Sequence, residues 1–173
     1  LPWSPAALGT TDFDISPTGG QSGRYLVAWT SSSGTLGGQV TRRLNCRVVD
    51  RNQNSLGSME LTLRSSTAQS GSGMAFGPTG VDGDGTSWTV GYEEQTLVSF
   101  LPFSSIVHAV PVVWSGGDLV ELPSTPVTQQ GAPRNTRPSV CRLQDSSLLA
   151  WGAGDDLRLT SIDSFNCEVC EGS

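Results

Sequence analysis

"GRYLVAWTSS" (Gly23–Ser32) and "SSLLAWGAG" (Ser146–Gly154) carry nearly the same word at opposite ends of the chain. Each is a short apolar run that closes on Ala-Trp, with Gly or Ser on both sides. The run does not alternate between apolar and polar residues, so it reads as a strand covered on both faces. Flanking Gly, Ser and Asp place turns close by. Working outward from Trp29, a Pro-marked segment "DFDISPTGG" precedes it, and "GQVTRRLNCRVVD", a turn "RNQNS" and "LGSMELTLRS" follow.

The same order recurs around Tyr92. "MAFGPTGVDGDG" and "SWTVGY" come first, then "EEQTLVSF", "SSIVHAVPVVW", the turn "SGGD" and "LVELPSTPV". It recurs again around Trp151, with "TRPSVCRLQD" before it and "GAGDD", "LRLTSID" and "SFNCEVC" after it. The three anchors stand about 60 residues apart, the spacing of a repeated supersecondary unit. Two-residue alternation places Met59, Leu61 and Leu63 on one strand face, and Leu157, Leu159 and Ser161 on another. No segment of similar length carries a capped helical period. The β-branched residues of "QVTRRLNCRVV" favour a strand there.

The expected fold is therefore all-β. Residues 1–173 read as a single repeat domain, with approximate repeats at 10–65, 72–130 and 134–173. Short strands in groups of four suggest a β-propeller-like arrangement of about three blades; a β-sandwich is the alternative. Three blades are too few to close a ring. The expectation is thus a piece of a longer chain, copies that complete a ring together, or other subunits that cover the ends. The chain opens on LPWSP without Met and shows no signal peptide, which suggests a processed form or a fragment.

Composition agrees. Gly (21) and Pro (10) are abundant and the hydrophobic share is 36%, a turn-rich mixture. The net charge of -6 argues against a nucleic-acid backbone as partner. All ten basic residues are Arg, through codon bias or through a need for planar, bidentate contacts. No apolar stretch is long enough to be a transmembrane segment. The four cysteines, Cys46, Cys141, Cys167 and Cys170, are disulfide candidates and point to an oxidising compartment. Their pairing is open among three connectivities. The Cys167/Cys170 spacing lacks the helix start of a redox motif and the His of a haem attachment site.

The chain resembles the secreted bacterial β-propeller-like repeat proteins with recurring "YLVVW … RVD … LG" units. The matching stretches are YLVAW (Tyr25–Trp29), CRVVD (Cys46–Asp50) and SLG (Ser55–Gly57), with SLLAW and LTSID in the third repeat. The second repeat departs, with Tyr92 where Trp is usual and Trp114 where Asp is usual. The resemblance implies a propeller-like fold at the cell surface or outside the cytoplasm, extracellular or periplasmic, in an adhesive or scaffolding role.

Few residues suggest chemistry. Asp82 and Asp84, in "VDGDGT", place two carboxylates on a tight turn and are the candidate metal pair, with calcium as the ion. The same letters also spell an ordinary hairpin turn. Glu93 and Glu94 point to opposite faces of a strand and cannot act together. His108 is the sole histidine, so no Ser/His/Asp set can be assembled from spacing. Arg42-Arg43 and Arg134/Arg137 are small basic clusters. The expectation is a non-enzymatic structural or protein-interaction module of an extracellular or cell-envelope assembly, with no catalytic residues and no cofactor. Its partners would be other subunits or further copies of itself. The alternative is a calcium- or carbohydrate-binding, lectin-like propeller, with a pocket lined by Trp3, Trp88 or Trp114.

Overall fold

The computed structural model describes residues 12–17, 20–35, 37–128, 135–163 and 169–170. Its regular elements are all strands; no helix occurs among the described residues. Sheet 1 contains β1 (Asp12–Ile15), β2 (Arg24–Gly34), β3 (Gln39–Asp50) and β4 (Ser55–Gln69). Sheet 2 contains β5 (Gly73–Gly83), β6 (Ser87–Val98), β7 (Leu101–Ser115) and β8 (Asp118–Glu121). A short β9 (Thr125–Pro126) pairs with β7 beside β8. Sheet 3 contains β10 (Asn135–Arg142), β11 (Ser146–Ala153), β12 (Asp156–Asp163) and β13 (Val169–Cys170). Within each sheet the strands run antiparallel in chain order.

Turn chemistry sets these boundaries. Asp50 accepts hydrogen bonds from the Asn52 and Asn54 amides and from Asn54 Nδ2, which folds "RNQN" back into β4. Gly116 and Gly117 both take positive φ between β7 and β8, as a tight hairpin requires.

The core lies in two seams. Between sheets 1 and 2, Leu26, Ala28, Leu44 and Val48 meet Trp88, Val90 and Tyr92. Between sheets 2 and 3, Val107 and Ala109 meet Leu149, Trp151 and Ile162. Two of the three ring anchors thus fill seams. The third, Trp29, is buried but belongs to neither cluster. Strand alternation explains this: Leu26 and Ala28 face sheet 2, so Trp29 and its cross-strand partner Phe13 face the other way.

Small residues let sheet 3 come close. A Cβ on Gly91 would lie 2.7 Å from Leu149 Cδ1, and one on Gly80 would lie 2.5 Å from the Pro138 carbonyl oxygen. Polar stitches run beside these contacts. Asp14 in β1 accepts the Val81 amide of β5 at 2.9 Å, and Asp82 in β5 accepts the Arg142 amide of β10 at 2.8 Å. The first strands of the three sheets are therefore tied in series by carboxylate-to-amide bonds.

Candidate functional site

The Asp82–Asp84 turn sits where all three sheets meet. Asp84 and Gly85 begin the β5–β6 hairpin, with Gly85 at φ +88°. The Asp84 amide donates to the Ser87 carbonyl at 3.0 Å. The Asp84 carboxylate accepts from the Thr86 amide (2.8 Å), Thr86 Oγ1 (2.7 Å), the Ser87 amide (2.8 Å) and Ser87 Oγ (3.1 Å). Partial burial opposes ionisation, yet these bonds prevail and hold the Asp84 carboxyl down at about 2. From sheet 1, Ser22 Oγ donates to the Gly85 carbonyl at 2.7 Å. From sheet 3, Arg142 Nη2 reaches Asp84 Oδ2 at 3.4 Å.

Asp82 is buried. Its Oδ1 accepts the Gly83 amide at 2.7 Å, and its Oδ2 holds the Arg142 amide. All four carboxylate oxygens of the expected metal pair thus accept hydrogen bonds from the chain. The charged side chain that reaches Asp84 is Arg142. Among the described residues no group of three or more His, Cys, Asp or Glu side chains forms a metal cluster. The arrangement closes a turn and joins sheet 2 to sheet 3.

Beside the turn lies an open depression of about 750 Å³, lined by Asp84, Arg142, Leu143, Gln144, Asp145 and Ser146. The Arg142 side chain is only 10% exposed, and its Nη1 has no hydrogen-bond partner among the described residues.

A second polar cluster lies on the seam between sheets 1 and 2. Arg64 in β4 donates from Nε to Tyr92 Oη at 2.9 Å, from Nη1 to Glu121 Oε1 at 2.6 Å and from Nη2 to Ser124 Oγ at 2.6 Å. Tyr92 stacks on its cross-strand partner His108, ring centroids 5.1 Å apart and planes 10° from parallel. Burial pushes the Tyr92 hydroxyl up to about 12. Burial, with the Arg64 charge, pushes His108 down to about 4, so both rings are neutral at pH 7. Burial also raises the Glu94 carboxyl. Sequence reasoning missed this cluster, whose members are scattered over four strands and a loop with no informative spacing. It binds β4 to the end of β8; among its described members there is no nucleophile held against a base.

The remaining candidates separate. Glu93 is buried, facing sheet 3, while Glu94 faces the Arg64 side. Cys46 is a buried free thiol in β3, pushed far up by burial, and Cys141 is an exposed free thiol in β10. Cys167 and the side chain of Cys170 lie outside the described residues, as do Trp3 and Arg134. Trp88 is buried in the first seam, and Trp114 lies beneath the Arg24 guanidinium, 5.3 Å from its carbon to the ring centroid. Arg42 and Arg43 also point apart: Arg42 lies on the sheet-2 side of β3 and its Nη1 donates to the Ser72 carbonyl at 3.1 Å, while Arg43, opposite Ser31, is exposed on the other side.

The two outer sheet faces both carry exposed apolar side chains. On sheet 1, away from sheet 2, Phe13 is 70% exposed and Ile15 is exposed beside it. On sheet 3, Leu149 and Trp151 point to sheet 2, so Leu157 and Leu159, opposite Gly152 and Ala150, point outward. Leu157 is 71% exposed and Leu159 59%.

Fold and site together define an all-β protein of three antiparallel sheets whose polar constellations join sheets. Compared with known proteins, the chain matches no protein family, no curated sequence and no solved structure.

Proposed function

We propose that the chain is a structural or protein-interaction module of an extracellular or cell-envelope assembly, its three sheets serving as blades of a propeller-like ring that other chains complete. One observation carries this reading: both end faces leave large apolar side chains in water, Phe13 and Ile15 at one end and Leu157 and Leu159 at the other. Inside the molecule, sheet faces of the same two kinds bury each other. Exposed apolar faces of this sort mark contacts with other molecules. The non-enzymatic part of the reading rests on Asp82, Asp84, Arg64 and His108, each of which is accounted for by joining one strand to another.

The test is native mass measurement of the purified protein over a wide concentration range, with hydrogen exchange along β1 and β12. Assembly with protection of both strands supports the reading. A monomer at every concentration with both strands unprotected, including in the presence of its native surface fraction, overturns it.

The depression beside Asp84 favours a second reading, a carbohydrate-binding module. It mixes donors from Arg142, Gln144 and Ser146 with acceptors from Asp84 and Asp145, the lining a polyhydroxylated ligand needs. Glycan-array binding that disappears in Gln144→Ala is the outcome expected for that reading.

A further inference from the structure

The depression beside the Asp84 turn lies between two hairpins, with Asp84 from β5–β6 on one side and Arg142 to Ser146 from β10–β11 on the other. Its donors centre on Arg142, whose side chain is only 10% exposed. The one bond that side chain makes among the described residues runs to Asp84 Oδ2 at 3.4 Å. A full guanidinium–carboxylate bond is shorter, about 2.8 Å, and Ser87 Oγ already donates to the same oxygen. A guanidinium carries five N–H donors, so most of this fork is unspent. Its Nη1 is buried without a partner among the described residues. A donor left that way costs stability until an acceptor reaches it. The residue itself is held in place, because Asp82 clamps the Arg142 amide at 2.8 Å. A donor already held loses little freedom on binding.

The rest of the lining selects the kind of acceptor. Asp84 is ionised, its carboxyl held at about 2, and Asp145 adds a second carboxylate. An anionic ligand would face both of them with one cation to meet it. The matching acceptor is therefore neutral, a carbonyl or hydroxyl oxygen. Asp145 is exposed and takes no hydrogen bond or ion pair among the described residues, so it is open to an N–H or O–H from a ligand. Leu143, exposed on the same turn, offers an apolar surface. The Leu143 amide donates to the Ser146 carbonyl at 2.8 Å, which closes the turn around Gln144 and Asp145 and keeps these groups together. A donor fork, an open carboxylate and an apolar contact correspond to the three parts of an acetamido group: carbonyl, N–H and methyl. Gln144 and Ser146 are left for ring hydroxyls.

We propose that this depression takes an N-acetylated hexosamine residue of a glycan, its acetamido carbonyl meeting Arg142, its N–H meeting Asp145 and its methyl lying on Leu143. The proposal rests on the carbohydrate reading of the same site and names the ligand for it. A plain neutral sugar would leave Leu143 uncovered, whereas the acetamido group serves all three side chains at once. A peptide carries the same amide, but extended peptides bind by pairing with an open strand edge. Here the lining is a closed turn, and its Leu143 amide is spent inside the hairpin.

Titration calorimetry tests it with two trisaccharides, triacetylchitotriose and cellotriose, the second carrying a hydroxyl where the first carries each acetamido group. The wild-type protein is expected to bind the acetylated one about tenfold more tightly. Leu143→Ser and Asp145→Ala alter exposed side chains of the turn, and each is expected to reduce that preference several-fold. Arg142→Lys, which keeps the charge and loses the fork, is expected to do the same. Equal binding of the two trisaccharides by the wild type, or an undiminished preference in all three variants, overturns the acetamido assignment and leaves the carbohydrate reading standing. Equal competition by N-acetylalanine methylamide, which has the amide and methyl without a sugar, overturns it by making the site a peptide contact. Binding of neither trisaccharide overturns it as well, and an empty glycan array beside that result removes the carbohydrate reading with it.

Discussion

His108 lies flat on Tyr92 with its Nε2 buried and without a hydrogen-bond partner among the described residues. Arg64 is the cation nearest this stack, and Glu94 and Glu121 are its acids. A proton on His108 would sit partly desolvated and face Arg64. Its folded value is about 4 against 6.5 when unfolded, so the unfolded chain takes up the proton first. Stability is then unaffected above pH 6.5 and falls as the pH drops from 6.5 towards 4. The loss is about 1–2 kcal/mol, because the ring is only partly buried and solvent screens it. Urea midpoints across that range should show the slope, and His108→Phe, which keeps the stack, should flatten it without lowering stability at pH 7. The Asp84 window lies lower, its contribution being lost as pH falls from 3.8 to about 2. Gly80 supplies a second residue-scale prediction. The backbone of Pro138 stands where its Cβ would go, so Gly80→Ala must push β10 away and cost about 1–3 kcal/mol in denaturant melts. Gly91→Ala should cost less, since the nearest obstacle is the end of the flexible Leu149 side chain.

At the scale of elements, the first strands β1, β5 and β10 are joined by the Asp14 and Asp82 carboxylates. Asp82→Ala strips the Arg142 amide of its acceptor in a buried setting and should cost about 2 kcal/mol. Asp14→Ala should cost less, because Asp14 is only half-buried. Addition of calcium should leave the thermal midpoint of the wild type unchanged, since the oxygens of both Asp82 and Asp84 already serve chain donors. This pair also marks how far the sequence can be read. Strand positions were legible, because alternation in "MELTLRS" and Gly-rich turns such as "SGGD" are local signals. The role of Asp82 was not, because a carboxylate that clamps an amide some 60 residues away is spelled like one that binds a cation. Glu93 shows the same limit, for nothing local announces that the face it points to is covered by sheet 3. The β6–β7 hairpin is a third case: nothing local in "TLVSFLPF" announces that Val98, Phe100, Leu101 and Phe103 stand in solvent.

At the scale of the molecule, the two end faces differ in kind, and the difference decides how copies would meet. Sheet 2 turns its Trp88, Val90 and Tyr92 side towards sheet 1, and sheet 3 turns its Leu149 and Trp151 side towards sheet 2. The corresponding side of sheet 1 leaves Phe13 and Ile15 exposed, although Trp29 beside them is buried, and the opposite side of sheet 3 leaves Leu157 and Leu159 exposed. Continuing the internal order therefore places the Leu157 face of one copy on the Phe13 face of another, a head-to-tail contact between unlike surfaces. Single charges at the exposed positions separate this from a like-on-like dimer. Ile15→Arg spoils one face and Leu159→Arg the other, and neither side chain is buried in the isolated chain. Under head-to-tail pairing each variant alone should be monomeric by native mass measurement, because every possible contact then includes one spoiled face. Mixed in equal amounts, they should form a one-to-one heterodimer through the single intact pair of faces. A dimer of Ile15→Arg alone would instead show that the Leu157 faces pair with each other, and the order seen inside the molecule would not extend beyond it.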